Sequence, residues 1–522
     1  MQSFPLTLDR ILDHAAAWHP NAQVVTAREG QANARIGYAA LRERAKRLSG
    51  VLAGVGARPG EHVATLAWNT QAHMESWFAI MGMGAVCHTL NPRLTAVQLA
   101  WMLDQSAARI LIVSHDLAPL AADVVARAAG LERVLVIDGA PPSLEARLPF
   151  EALEPLIGQA TADVPWGAFD ETAPSGLCFT SGSTGAPKGV TYTHRSSFLH
   201  TLRLLQADVL GATSADVVLP VVPLFHANAW GLPFAVPAAG GTLVLPGRQT
   251  DGASLARLIA AEDVTIAVGV PTVWLGLAEH LEATGTALPS LRRIILGGAA
   301  TPPALMERLE RQLGVIAQTS WGMTELSPVG TFGVLSDPDR VPAVSGRPAL
   351  GVDLMVADES GAPLPEQRGR EGRLHVRGAA VIERYFGQEQ PATNADGWFD
   401  TGDLAMIDAK GNLSITGRAK DLIKSGGEWI NPAEIEAIVC ALPEVALAAV
   451  IGRTDAKWGE RPILLVELRY GREIDDTALL DAVRGRVASW WVPDAVVRLP
   501  AMPLAATGKI DKIGLRAAYA GG

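Results

Sequence analysis

The stretch TSGSTGAPKG, from Thr180 to Gly189, has the ingredients of a polyphosphate cradle. Gly182, Gly185 and Gly189 leave backbone N–H groups unhindered; Thr180, Ser181, Ser183 and Thr184 add hydroxyl donors, and Lys188 adds a cation. Two familiar arrangements fail on spacing. A strand-to-helix phosphate loop needs its second Gly directly before the Lys, but Pro187 stands there and Gly189 follows the Lys. A hydrolase nucleophile elbow needs Gly two residues before its Ser, and that residue is Ser181. Alone, the stretch would equally suit a flexible Gly/Ser turn between strands. Its meaning depends on what accompanies it.

Five further segments follow in order: GGAATPPAL from Gly297, TSWGMTELSPV from Thr319, DGWFDTGDLAMID from Asp396, GRAKDLIKSGGEWINPAEIE from Gly417 and LAATGKIDK from Leu504. With the glycine-rich loop they resemble, over nearly the whole chain, the adenylate-forming superfamily of acyl-CoA synthetases, firefly luciferases and peptide-synthetase adenylation domains. Within that superfamily, IKSGGEWI and VPLFHANAW are similar to fatty acyl-CoA synthetases, including medium-chain, long-chain and methylmercaptopropionate ligases.

The resemblance implies two steps. A carboxylate carries no adequate leaving group, so it attacks the α-phosphate of ATP and releases pyrophosphate; a thiol, that of coenzyme A, then displaces AMP. Positioning and charge neutralisation drive such chemistry, so donors, cations and Mg²⁺ should converge on the triphosphate. By motif match, Thr180, Ser181, Gly182, Ser183, Thr184 and Lys188 form the phosphate loop. Thr324 and Glu325 form the Thr-Glu pair, with Glu325 and Thr180 expected at Mg²⁺. Gly297, Gly298, Ala299 and Ala300 would line the adenine and acyl group, together with Thr319, Ser320, Trp321 and Gly322. Trp321 stands where the family has an aromatic that stacks on adenine, often Tyr. Asp403 would accept the ribose hydroxyls, with Arg418 beside it. Lys509 matches the lysine that neutralises charge on the carboxylate and α-phosphate, and Lys420 matches the hinge position. Lys424 and Trp429 would approach the nucleotide in one pose, and Ser425, Gly426 and Gly427 would line the pantetheine path. His226, Ala227 and Trp230 fall where acyl-CoA synthetases contact nucleotide and acyl group, although an aromatic-rich segment suits core packing equally well. Cys87 and His88 have no supporting base or oxyanion motif and are read as packing residues.

The elements that must position these groups follow from periodicity. Leu41, Ala45, Leu48 and Leu52 make one apolar helix face, and HVATLA at His62 reads as a buried strand. Apolar runs beginning at Arg109, Arg133, Thr242, Thr265 and Arg292 alternate with helix-length segments, which predicts mixed α/β sheets. A turn-rich stretch from Phe399 to Trp429 marks a boundary. Beyond it, strands at Ala446 and Ile463 and a helix around Thr477 to Arg486 make a small α+β lobe. The expected organisation is α/β: a large adenylate-forming domain at 1–416 with mixed sheets, helices and a small β subdomain, a hinge at 417–421, and a mobile α+β domain at 422–522.

Composition excludes several classes. With 522 residues, 48% hydrophobic and 19% charged, extended disorder is not expected. A net charge of -10 argues against a nucleic-acid surface. Three scattered cysteines support neither a disulfide framework nor a zinc site, and fit a reducing cytoplasm. The N-terminus reads as an ordinary first helix, and the longest apolar run, Trp77 to Cys87, is about half the ~20 residues of a membrane span. The expected partners are ATP, coenzyme A, a small carboxylic acid and a second copy of the chain. Alternatives are a methylmercaptopropionate or aryl-acid ligase, a stand-alone adenylation enzyme loading a carrier protein, a luciferase-like oxygenase, and a non-enzymatic nucleotide sensor.

Overall fold

The computed structural model describes residues 1–180, 187–299, 301, 303–337, 344–505 and 508–521. Four sheets are present among them. The first has seven strands in the order Phe150–Ala152, Arg133–Ile137, Ile110–Ser114, His62–Leu66, Val86–Thr89, Pro174–Phe179 and Gly189–Thr193. It is parallel except for its last pair. The second has nine strands, with a parallel centre that includes Val217–Pro220, Ile266–Gly269, Arg293–Leu296 and Ile316–Gly322. Parallel strands need helical crossovers, which is why apolar runs alternate with helices through the first three hundred residues or so. The central strands are buried along most of their length, as expected where helices cover both faces.

A four-stranded antiparallel sheet follows, Val352–Ala357, Glu371–Gly378, Phe399–Ile407 and Leu413–Arg418. The last sheet has its long pair at Val445–Asp455 and Gly459–Leu468, flanked by Ile423–Ser425, Glu428–Ile430 and Val496–Arg498. Helices Pro432–Cys440 and Asp476–Val483 supply apolar side chains to its core. The second helix ends at Val483 rather than Arg486. Arg484 leaves helical geometry and Gly485 turns at φ +73, a conformation glycine adopts without a Cβ penalty. The first helix is Asp9–Trp18, and no described helix is long and apolar enough to cross a membrane. Cys87 and His88 are buried in the seven-stranded sheet, with His88 Nδ1 2.9 Å from Ser106 Oγ.

One side chain stitches the two large sheets together. Asn69 follows the strand His62–Leu66, and its Nδ2 donates to the Pro220 and Val222 carbonyls at 3.1 and 2.9 Å. Its Oδ1 accepts from the Leu224 N–H at 2.8 Å. The segment it holds leads directly into His226 and Trp230. Asn69→Leu would strand three buried polar backbone groups at about 1–3 kcal/mol each before relaxation. It is expected to lower the first unfolding midpoint clearly, and an unchanged thermal transition would show the clasp to be dispensable.

Candidate functional site

Strands Pro174–Phe179 and Gly189–Thr193 pair antiparallel, with Phe179 opposite Gly189. The Thr180 N–H donates to the Lys188 carbonyl at 2.8 Å and the Thr180 hydroxyl to the same oxygen at 3.3 Å. The glycine-rich loop is thus the connection of a β-hairpin, not a strand-to-helix turn, which is why the helical phosphate-loop spacing does not apply. Ser181, Gly182, Ser183 and Thr184 lie outside the described residues, as does Ala300. At its base, Lys188 Nζ sits 4.7 Å from the centroid of the Tyr385 ring. The Tyr385 hydroxyl donates to Glu325 Oε1 at 2.9 Å. Glu325 is only 7% exposed, and burial pushes its carboxyl up; Tyr385, Arg418 and Lys188 oppose that shift. Thr324 is fixed through its carbonyl, which accepts from the Tyr192 hydroxyl at 3.0 Å.

A second carboxylate lies on the four-stranded sheet. Asp403 is 2% exposed and faces Arg418 across adjacent strands, with Arg418 Nε 2.6 Å from Asp403 Oδ1. Its Oδ2 accepts from Trp321 Nε1 at 2.9 Å. Burial raises the Asp403 carboxyl; Arg418, Trp321 and Lys509 pull against it. The indole of Trp321 does more than offer a stacking face: it is buried in an apolar cluster with Leu326 and Tyr192 and commits its N–H to Asp403. Gly330 makes room for it, since a Cβ there would lie 2.7 Å from the ring. Thr319 Oγ1 donates to the Val344 carbonyl at 2.6 Å and Ser320 Oγ to the Leu296 carbonyl at 3.4 Å. Gly322 is required by close approach of the Pro328 carbonyl.

Lys509 reaches this region from the small lobe. A Cβ at Gly298 would lie 3.9 Å from Lys509 Cε, 3.3 Å from Trp230 Cζ2 and 3.4 Å from Val270 Cγ1. The Thr272 hydroxyl donates to the Gly508 carbonyl at 3.2 Å, which docks the lysine loop on the large domain. Desolvation, then repulsion from Arg418, bring the Lys509 ammonium down to about 8, while Asp403 and Glu325 hold it up. Burial and the nearby Lys509 and Arg93 push His226 down to about 4, so its imidazole is neutral at neutral pH.

The segment Ala227–Gly231 is a left-handed turn: Ala227, Asn228, Ala229 and Trp230 have φ of 46°, 51°, 45° and 55°. Each non-glycine residue there costs about 1–2 kcal/mol. All are buried, and the turn lays Trp230 against Gly297 and Gly298, where a Cβ on Gly297 would come within 2.9 Å of its Cη2.

The structure thus brings together Thr180, Lys188, Glu325, Trp321, Asp403, Arg418, Lys509, His226, Trp230, Gly297 and Gly298. Lys420, exposed in the turn Ala419–Asp421, feels Asp421, Arg418 and Asp403. Ala299 is exposed beside them. Lys424, Ser425, Gly426, Gly427 and Trp429 form a separate face of the small lobe. Lys424 Nζ stands 5.2 Å from the Trp429 ring centroid, Ser425 Oγ accepts from Arg461, and the Gly426 N–H donates to the Trp458 carbonyl. Sequence reasoning missed Tyr385, Thr272 and the left-handed turn. Tyr385 is 60 residues from Glu325, beyond any local spacing rule. Only Asn228 and Gly231 hinted at positive φ.

A family model described as AMP-binding enzyme matches residues 12–386, and one described as AMP-binding enzyme C-terminal domain matches residues 434–509. The chain belongs to the AMP-binding enzymes. This adenylate-forming enzyme is 39% identical to a 3-methylmercaptopropionyl-CoA ligase from Ruegeria lacuscaerulensis, covering 99% of this chain and 98% of that one. It is 38% identical to a medium-chain-fatty-acid–CoA ligase from Ectopseudomonas oleovorans, covering 98% and 96%. Among solved structures, ATP-bound MatB from Rhodopseudomonas palustris superposes with a TM-score of 0.87 at 27% identity, covering 99% of each chain. In this AMP-binding enzyme, Trp321→Phe keeps an apolar ring but removes a hydrogen bond to a buried carboxylate, worth about 1.5–3 kcal/mol. It is expected to weaken ATP binding by about tenfold in calorimetric titration. A dissociation constant within about twofold of the parent would separate Asp403 from nucleotide binding.

Proposed function

We propose that the enzyme activates an apolar carboxylic acid, of the medium- or long-chain fatty or methylmercaptopropionate class, as its adenylate, using the residues assembled around Asp403, Glu325 and Lys509. It is an ATP-dependent acid–thiol ligase, and ATP and coenzyme A are its co-substrates. The observation that carries the residue assignments is the convergence of Lys509 from the small lobe on two buried carboxylates of the large one. The names of the relatives support the acid class, as does the apolar wall of Trp230, Val270 and the Gly297–Gly298 backbone beside a neutral His226.

In this reading the hairpin loop and Lys188 hold the triphosphate, and Asp403 with Arg418 holds the ribose. Lys509 stabilises charge developing between the attacking carboxylate and the α-phosphate. Glu325 and the Thr180 hydroxyl suit Mg²⁺ held jointly with phosphate oxygens. A single desolvated carboxylate favours a cation, and no cluster of three or more His, Cys, Asp or Glu side chains forms a protein cage among the described residues. When bound, Mg²⁺ would neutralise phosphate charge. Residues 417–421 then serve as the hinge between a domain at 1–416 and one at 422–522. The small lobe turns there to bring Ser425–Gly427 to the pantetheine arm and Lys424 and Trp429 to their second pose. The reading includes a homodimer in a reducing cytoplasm, which three unpaired cysteines suit.

AMP formation across straight-chain, branched, aryl and thioether acids, with and without coenzyme A, tests the substrate class. Straight-chain or thioether acids are expected to lead, with turnover requiring coenzyme A. Preference for aryl acids, or turnover on a carrier protein alone, would overturn it.

Lys509 must be cationic to act, so its charge is present below about 8 and lost above it. The kcat/KM for acid-dependent pyrophosphate exchange is expected to fall on the alkaline side near that value, well below the ordinary lysine range, because kcat/KM reports the free enzyme. Lys509→Ala is expected to lose exchange by roughly 10²- to 10³-fold and to keep thioester formation from presynthesised acyl-adenylate. Collapse of both half-reactions together would remove the step-specific role.

A further inference from the structure

Lys509 closes a short loop whose flanks, Met502 and Ile510, pack on an apolar cluster of the small lobe. Its base is closed by the Ala505 N–H to the Lys509 carbonyl at 2.7 Å, the Asp511 N–H to the Pro503 carbonyl at 2.9 Å and a bridge between Leu504 and Ile510. Thr272 holds the loop at Gly508, and at its far end the loop continues into a helix whose orientation it shares. Asp511 caps the helix Lys512–Tyr519, accepting from the Gly514 N–H at 2.9 Å. That helix buries Leu515 against Ala449, Ile451, Ile463 and Leu465.

Leu515 and Tyr519, four residues apart, both pack on that cluster, so the eight-residue helix is anchored along one line and can still roll about it. Two ion pairs remove that freedom. Lys512 Nζ is 2.7 Å from Glu436 Oε1 on the helix Pro432–Cys440, and Glu436 also accepts from the Val450 N–H at 2.6 Å. Arg516 Nη2 is 2.9 Å from Asp421 Oδ1, in the last residue of the turn Ala419–Asp421. Lys512 and Arg516 are one helical turn apart, so both face the same way. Burial disfavours the Glu436 carboxylate and Lys512 offsets it, so the pair is held in place rather than solvated apart.

We propose that Lys512 and Arg516 are positioning residues that lock the Lys509 loop to the hinge, so that rotation about residues 417–421 carries Lys509 as a rigid arm. The proposal rests on the reading of Lys509 as the adenylation lysine. The lock matters because a misplacement of about 1 Å can cost on the order of 10²-fold in rate. It is specific to one step. The Ser425–Gly427 face is anchored separately, through Arg461 Nη1 to Ser425 Oγ at 3.2 Å and the Gly426 N–H to the Trp458 carbonyl at 2.8 Å.

The test compares Lys512→Met and Arg516→Met with Lys512→Arg as rescue and Lys509→Ala as control, in the full-length enzyme. Acid-dependent pyrophosphate exchange and thioester formation from presynthesised acyl-adenylate are measured on each. Lys512→Met and Arg516→Met are expected to lower exchange about tenfold to a hundredfold in kcat, with KM for ATP little changed and thioester formation near the parent rate. Lys512→Arg should recover most of the exchange. Equal loss of both half-reactions, or of neither, overturns the lock. Should Lys512→Met fail to fold, Arg516→Met, in the more exposed pair, carries the same test. If Lys509→Ala itself loses both half-reactions, the adenylation reading falls first. If it separates them and the Met variants do not, only the lock falls.

Discussion

The site is organised around one ion pair, a buried carboxylate held by a part-exposed arginine. Asp403 and Arg418 are direct cross-strand partners on the last two strands of the four-stranded sheet, and Arg418 is also the residue from which the chain leaves that sheet toward the small lobe. A carboxylate this buried is costly unless its oxygens are engaged, and both are: one by Arg418, the other by the Trp321 indole. The same contact therefore satisfies Asp403, orients Trp321 and sets the starting direction of the arm that carries Lys509.

Charges of both signs surround that pair: Lys509, Arg418, Lys420 and Lys188 stand near Asp403 and Glu325, with Asp400 and Asp421 also acting on the group. The lowered ammonium of Lys509 and the raised carboxyls of Asp403 and Glu325 share a leading cause, desolvation. In the proposed reading, a triphosphate entering such a site would replace lost hydration with opposite charge, bound by groups that are poorly satisfied without it. His226 stays neutral in the same surroundings, which keeps the approach to Trp230 from adding another cation.

In the proposed reading, rigid and adjustable parts are divided between the lobes. The glycine-rich hairpin, Glu325 and the left-handed turn that presents Trp230 are set in large sheets, where strain at four positive-φ residues can be held by packing. Lys509 arrives on a lobe that touches the large domain through small contacts such as Thr272 to the Gly508 carbonyl. A single neutral hydrogen bond of that kind contributes about 1 kcal/mol, little enough for the proposed change of pose to exchange.

Much of this was readable in the chain. Strand and helix periodicities located the elements around His62, Arg133, Thr242 and Ile463, because burial imposes its period wherever one face meets a core. The motifs around Thr180, Glu325, Asp403 and Lys509 identified the family, because close backbone approach and charge neutralisation restrict residue types at short spacing. Only the tertiary structure decided the rest. The phosphate loop's hairpin setting depends on how two strands pair. Tyr385 meets Glu325, Trp321 meets Asp403 and Arg516 meets Asp421 across separations that periodicity does not span. The left-handed turn at Ala227–Trp230 runs against local preference, since its residues would not choose that backbone in isolation. It is held in place by the burial of Trp230 against the Gly297–Gly298 backbone.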